Sequence, residues 1–228
     1  MRDLIRKIVL RFNYMIKAKI LHRDNSNVYI SSSVNFIGKK RVKIESGSVI
    51  GDDSWFNVNK RELNKTRISI GRNSYIGKRN FFSSGKSINI GEYALTGINC
   101  SFLGSDHKID DPFKPYISTG VTDDAEINIG INVWLGANVT ILGDVSIGNG
   151  CIIGANSLVL NNIPEYSIAV GNPAKVIKRY DFKTKAWVKP EFYEEGYAPD
   201  DKKYLAILES REIKVPKLAA GSSYSNLY

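Results

Sequence analysis

The chain is short of the residues that build most covalent and metal sites: 228 residues hold two cysteines and two histidines. Cys100 and Cys151 are too few, with the wrong spacing, for a disulfide framework or a thiolate metal cluster. They read as small apolar core residues of a reducing compartment. His22 and His107 fall short of the three histidines that a metal-dependent hydratase would need, so no metal is expected. No apolar run approaches the roughly 20 residues that cross a bilayer. The opening "MRDLIRKIVLRFNYMIKAKI" is broken by charge too often for the apolar core of a signal peptide, so the expected compartment is the cytoplasm. A phosphate-cradling P-loop is also missing.

What is present argues for a folded, soluble chain: 43% hydrophobic and 24% charged residues. The net charge of +9 is concentrated at one end. Seven basic residues against Asp3 place +6 of it in residues 1–23. The rest of the chain is close to balanced, and no broad nucleic-acid surface is implied.

The dominant feature is a repeat. From Ile129 an aliphatic residue returns every sixth place, in "IGINVW", "LGANVT", "ILGDVS", "IGNGCI" and "IGANSL", with Val159 continuing the series. Gly or another small residue usually follows, and place five is small or β-branched. Earlier blocks start at Ile44, Ile50, Ile70, Ile76, Ile90 and Thr96, with short insertions between the groups. Six fits the strand period of 2 and not the helical 3.6. A short strand and a tight corner, repeated, wind into a parallel solenoid of about eighteen residues per three-sided coil. Aliphatic side chains stack inside such a solenoid, and Gly and Asn suit its corners. Little inner volume remains, so function must sit outside, on loops or between subunits.

These hexapeptides, the run "NVWLGANVTILGDVSIGNGCIIGANSLVL" and the closing "IPEYSIAVGNPAKVIKRY" resemble the hexapeptide-repeat acyltransferases, especially those that acetylate sugars, polysaccharides and xenobiotics. The resemblance covers residues 28–180. It implies an all-β, left-handed parallel β-helix that works as a homotrimer with acetyl-CoA as co-substrate. The implied activity is O-acetylation of a carbohydrate, a bacterial surface polysaccharide or its precursor. N-acetylation of an amino-sugar nucleotide or of an antibiotic is the alternative.

The repeat breaks at "GSDHKIDDPF" and resumes near Ile127. A loop over 104–126 of this length in a compact architecture points to function. Pro112 and Pro115 stiffen it, and Phe113 and Tyr116 give it surface to pack with. Moving an acetyl group from a thioester to a hydroxyl needs a base for the hydroxyl proton and donors for the oxyanion. A neutral histidine suits the first task at pH 7, and backbone N–H groups at a tight corner suit the second. His107 stands where the family's catalytic histidine stands, at the head of the extruded loop. Its orienting acceptor stays open among Asp106, Asp110, Asp111, Glu126 and a backbone carbonyl.

The resemblance assigns further residues. Trp134, at a place expected to hold small or polar residues, matches a tryptophan that walls the acetyl and pantetheine site. Gly136, Ala137, Gly154 and Ala155 match backbone contacts to the thioester arm. Lys175 and Lys178 match basic positions near the nucleotide end. Asn80 aligns with an asparagine that holds the acceptor. The basic N-terminus departs from the acidic one of the sugar acetyltransferases, which argues against a simple neutral disaccharide acceptor.

Both ends lie outside the repeat. Residues 1–27 place Leu4, Ile5, Ile8, Val9, Phe12, Met15, Ile16 and Ile20 at helical spacing opposite Arg and Lys. Such an arm can cap the open end of the solenoid. It can also rest on the anionic inner face of a membrane or receive an anionic polysaccharide. Residues 181–228 form a non-repeat extension, with "WVKPEFYEEGYAPD" aromatic enough to pack on a neighbour and a frayed end.

Overall fold

A computed structural model describes residues 27–59 and 65–211. The expected N-terminal arm and the last residues of the tail lie outside them. The first five coils each contribute three short strands: β1 (Tyr29–Ile30), β2 (Asn35–Ile37) and β3 (Val42–Ile44); β4 (Val49–Ile50), β5 (Trp55–Val58) and β6 (Ile68–Ile70); β7 (Tyr75–Ile76), β8 (Phe81–Ser84) and β9 (Ser87–Ile90); β10 (Leu95–Thr96), β11 (Ser101–Leu103) and β12 (Glu126–Ile129); β13 (Trp134–Leu135), β14 (Thr140–Leu142) and β15 (Val145–Ile147). β16 (Ile152–Ile153), β17 (Leu158–Val159) and β18 (Ser167–Gly171) follow.

Strands from successive coils pair in parallel and build three faces. Face A holds β1, β4, β7, β10, β13, β16 and β18; face B runs from β2 to β17; face C runs from β3 to β15. The result is the expected left-handed parallel β-helix. Where no loop intervenes, Trp134 pairs with Ile152 and Thr140 with Leu158, a coil of 18 residues.

The sequence pattern explains the winding. The first place of each hexapeptide points inward, and Ile44, Ile50, Ile70, Ile76, Leu135, Ile141 and Ile153 are all buried. Each such side chain contributes about 1.5–3 kcal/mol of transfer free energy, set against roughly 1–2 kcal/mol per residue of backbone entropy. Place five also points inward and holds buried Ser48, Ser54, Ser74, Ala94, Cys100, Val139, Cys151 and Ser157. Corners need left-handed backbone. Asn99, Asn138 and Asn156 supply it between faces A and B, each at φ 58–59°. Their amides also link into a ladder, Asn99 Nδ2 to Asn138 Oδ1 at 3.1 Å and Asn138 Nδ2 to Asn156 Oδ1 at 3.0 Å. Asparagine tolerates this conformation better than most residues with a Cβ.

One core feature was not apparent from the hexapeptides. Phe36, Phe56, Phe82 and Phe102 stack down the inside of face B, with ring centroids 5.0, 4.5 and 4.5 Å apart. They come from four successive coils, so only the parallel register brings them together.

After β18 the chain reverses. β19 (Ala174–Asp181) runs antiparallel to β18, and β20 (Ala186–Val188) antiparallel to β19. The change from coil to hairpin therefore falls inside the stretch expected to be coil. The tail packs on its own solenoid. Tyr180 meets Trp187 edge to face at 5.4 Å, and Tyr193 lies under Arg179 at 3.9 Å. Helix α1 (Asp201–Glu209) is capped by Asp200, whose carboxylate accepts the Lys203 N–H at 2.8 Å. It then climbs the corner between faces C and A. Asp201 meets Asn149, Tyr204 meets Asn132, and Glu209 pairs with Arg72. Those partners lie three coil steps apart, about 14 Å at a strand spacing near 4.8 Å, which the nine-residue helix spans at about 1.5 Å per residue.

Candidate functional site

Seven of the nine residues singled out from the sequence come together on one edge. On face A, the outward row Trp134, Ile152, Ile168 and Lys178 is in register across four strands. One step toward the A–B corner, the Gly136 N–H donates to Ile153 O, and the Gly154 N–H to Ala169 O. Ala137 and Ala155 follow these glycines at the same corner, and Lys175 pairs with Val170 beside them. The edge thus runs from a half-exposed tryptophan, past small residues, to two exposed lysines. Trp134 and Lys178 lie three strand spacings apart, about 14 Å.

The small residues have a second cause. A Cβ on Gly136 would lie 2.6 Å from Ala155 N, and one on Gly154 would lie 2.6 Å from Val170 Cγ1. Coil stacking alone demands glycine at 136, where the obstacle is backbone, while at 154 the obstacle is a valine methyl. Trp134 is also less unusual than it looked. Its place in the hexapeptide points outward and holds Trp55, Tyr75, Phe81 and Leu95 in earlier coils.

His107 belongs to another corner. β11 ends at Leu103 and β12 begins at Glu126, so the loop leaves where face B meets face C. Its neck is a short antiparallel ribbon. His107 bridges Val121, the Lys108 N–H reaches Gly120 O at 3.1 Å, and the Thr122 N–H reaches Asp106 O at 2.7 Å. The ribbon holds the His107 backbone while its side chain stays exposed. Among the described residues the imidazole makes no hydrogen bond. Asp106 Oδ1 accepts the His107 N–H at 2.8 Å, Asp111 accepts from Phe113, and Glu126 pairs with Lys86 at 2.6 Å. Three of the four candidate carboxylates thus have work elsewhere. Beyond the neck, Phe113 and Ile117 are 95% and 90% exposed.

Asn80 requires a correction. It was expected to contact the acceptor, but it is 1% exposed. Its Nδ2 donates to Gly97 O at 2.9 Å and Lys78 O at 3.2 Å, while its Oδ1 is buried without a partner. Its hexapeptide starts at Ile76, so Asn80 is place five, the inward ladder of Ser54 and Cys100. An inward side chain in a packed coil cannot reach a ligand.

The thiols are inert. Burial pushes both Cys100 and Cys151 up to about 11. Their Sγ atoms meet backbone oxygens, Gly136 O at 3.2 Å and Pro164 O at 3.0 Å. Among the described residues no group of three or more His, Cys, Asp or Glu side chains gathers as a metal site would need.

Missed from the sequence was an aromatic cluster at the C–A corner. Tyr166 packs edge to face on Phe182 at 4.8 Å and on Tyr204 at 5.4 Å. Burial raises the pKa of both tyrosines, so both are neutral phenols at pH 7.

Comparison with known proteins agrees with the fold. Residues 126–161 match the model of the bacterial transferase hexapeptide (six repeats). A Staphylococcus aureus chain named as an acetyltransferase is 38% identical over 114 residues, 50% of this chain and 56% of that one. The chain spans 34% and 56% of the first two curated relatives' own lengths. Among solved structures, the polySia-specific acetyltransferase NeuO superposes with a TM-score of 0.50 at 29% identity, covering 77% of each chain. The N-acyltransferase AntD from Bacillus cereus, solved with dTDP and coenzyme A, gives 0.58 at 22% identity over 70% of this chain and 84% of that one. That last likeness is one of fold. The chain is a left-handed parallel β-helix whose residues 126–161 match the hexapeptide repeat of bacterial transferases.

Proposed function

We propose that the protein is an acetyl-CoA-dependent O-acetyltransferase that modifies a hydroxyl of a carbohydrate, as a homotrimer, in the cytoplasm or at the inner face of the membrane. The observation that carries this is the edge of seven residues, with Trp134 at one end and Lys175 and Lys178 at the other. Its span suits an extended pantetheine arm, with the thioester beside Trp134 and the phosphates beside the lysines. The small side chains of Ala137 and Ala155 let the arm lie close to the corner backbone. The buried thiols fit direct transfer without an acyl-enzyme.

His107 is the base. Its exposed imidazole takes the acceptor proton as the hydroxyl oxygen attacks the thioester carbonyl. A corner N–H stabilises the oxyanion. Collapse breaks the carbon–sulfur bond, and the thiolate recovers the proton from the imidazolium. The loop and the donor edge leave different corners, so a second copy of the chain would complete the site. The exposed Phe113 and Ile117 are suited to dock on that copy. No helix among the described residues is long and apolar enough to cross a membrane, so membrane contact would fall to the arm.

The test is thiol release from acetyl-CoA over a panel of sugars, amino sugars and antibiotics. Wild type should turn over with a hydroxyl acceptor, and His107→Ala should lose at least about a thousandfold in kcat while keeping the trimer. Near wild-type turnover in His107→Ala would refute the base. Faster turnover of amines than of hydroxyls would refute O-transfer.

A further inference from the structure

A second site lies on the far side of Trp134. The hairpin β19–β20 and helix α1 fold beside face A and border an open pocket of about 380 Å³ at the C–A corner. Trp134, Tyr180, Phe182, Trp187, Tyr204 and Asn132 line it. The donor edge lies on the opposite, A–B side of Trp134, so the two share that ring and the neighbouring Ile152 but little else.

The chemistry of the lining selects its ligand. Among the described residues the walls carry no acid, lysine or arginine, and the phenols of Tyr166 and Tyr204 stay neutral. Nothing in that lining would balance a phosphate or a carboxylate, so the ligand is not an anion. The rings meet one another edge to face, at interplanar angles from 70° to 90°. That arrangement offers no pair of parallel plates for a flat base. One polar pair sits in the lining. Asn132 Nδ2 donates to the Tyr204 hydroxyl at 2.7 Å. That bond leaves Asn132 Oδ1 as an acceptor and the Tyr204 O–H as a donor. A pyranose ring has the matching character: C–H faces that lie against aromatic rings, and a rim of hydroxyls that both donate and accept. The volume falls in the range of small-molecule sites.

We infer that this aromatic pocket is a binding site for a neutral pyranose residue, holding one sugar of the carbohydrate while another is acetylated. Its role in catalysis rests on the reading above; the binding itself does not.

Trp134 and Trp187 both line the pocket, so tryptophan fluorescence reports its occupancy. The probes are the methyl glycosides of glucose, galactose and N-acetylglucosamine, titrated without acetyl-CoA, with adenosine as the contrast. At least one glycoside should give a saturable change at millimolar concentration. Trp187→Leu should weaken it at least tenfold, read through Trp134, while acetyl-CoA affinity measured by calorimetry stays within twofold of wild type. If Trp187→Leu does not fold, Tyr204→Phe carries the test. It keeps the ring on Tyr166 but removes the hydroxyl, and should weaken the glycoside at least threefold. No saturable change with any glycoside, unchanged affinity in the variant that carries the test, or displacement of the glycoside by adenosine would each overturn the site. A failure of acetyl transfer with every acceptor would sink the enzymatic reading and leave the titration standing.

Discussion

Replacing Asn80 by alanine separates a ligand contact from a packed ladder residue, because the two roles predict opposite readouts. The side chain gives two hydrogen bonds, to Gly97 O and Lys78 O. Losing them costs about 0.5–1.5 kcal/mol each. The same substitution removes a buried Oδ1 that has no partner, and an orphaned group of that kind costs about 1–3 kcal/mol. The two terms nearly cancel. What remains is a small void and two carbonyls with one partner fewer, a net destabilisation of about 1 kcal/mol. For a chain of this size that is about 2–4 °C in Tm. The acceptor KM should not move. Had Asn80 been an acceptor contact, losing one hydrogen bond of about 1.4 kcal/mol would raise KM roughly tenfold with Tm unchanged. The assay is calorimetric melting beside the thiol-release KM for whichever acceptor supports turnover. A tenfold rise in KM at constant Tm would refute the inward placement.

Two further outcomes follow from the core. Phe82 is fully buried between Phe56 and Phe102, so Phe82→Ala should cost about 3–5 kcal/mol, read as a large fall in denaturant midpoint. A loss below about 1 kcal/mol would show that the stack does not hold these coils together. The thiols of Cys100 and Cys151 rise from 9.0 to about 11 on folding. Above pH 9 the unfolded chain releases protons that the folded chain keeps, so stability falls as pH rises from 9 toward 11. In Cys100→Ala/Cys151→Ala that limb of the stability–pH curve should flatten, and an unchanged limb would assign it to other groups. At pH 8 neither thiol should react with a disulfide reagent in the native state.

The period of six, the corner asparagines and the length of the break made the solenoid and its extruded loop legible. Each is a local consequence: an inward aliphatic side chain every sixth residue, a left-handed corner, and a run that breaks the period. The same local logic would have placed Asn80 inside, since it stands fifth in its own hexapeptide, where the neighbouring blocks carry Ser54 and Cys100. The resemblance led to the surface instead. Gly136 could be noticed but not explained from the chain alone. Only the backbone of the next coil, 2.6 Å from where a Cβ would sit, shows why glycine is needed.

The one-dimensional pattern therefore determined the coil, its core and the point where the chain leaves it, because all three depend on neighbours within a few residues. Tertiary structure decided everything that crosses coils or closes the end. It stacked four phenylalanines from four turns and lined Trp134 up with Lys178 over three strands. It put His107 on one corner and the edge from Trp134 to Lys178 on another. It also folded α1 back so that Tyr204 meets Asn132, a contact 72 residues apart in sequence. No local periodicity encodes such pairs. They follow from the register of parallel strands and from where a chain that has stopped winding finds apolar surface to cover.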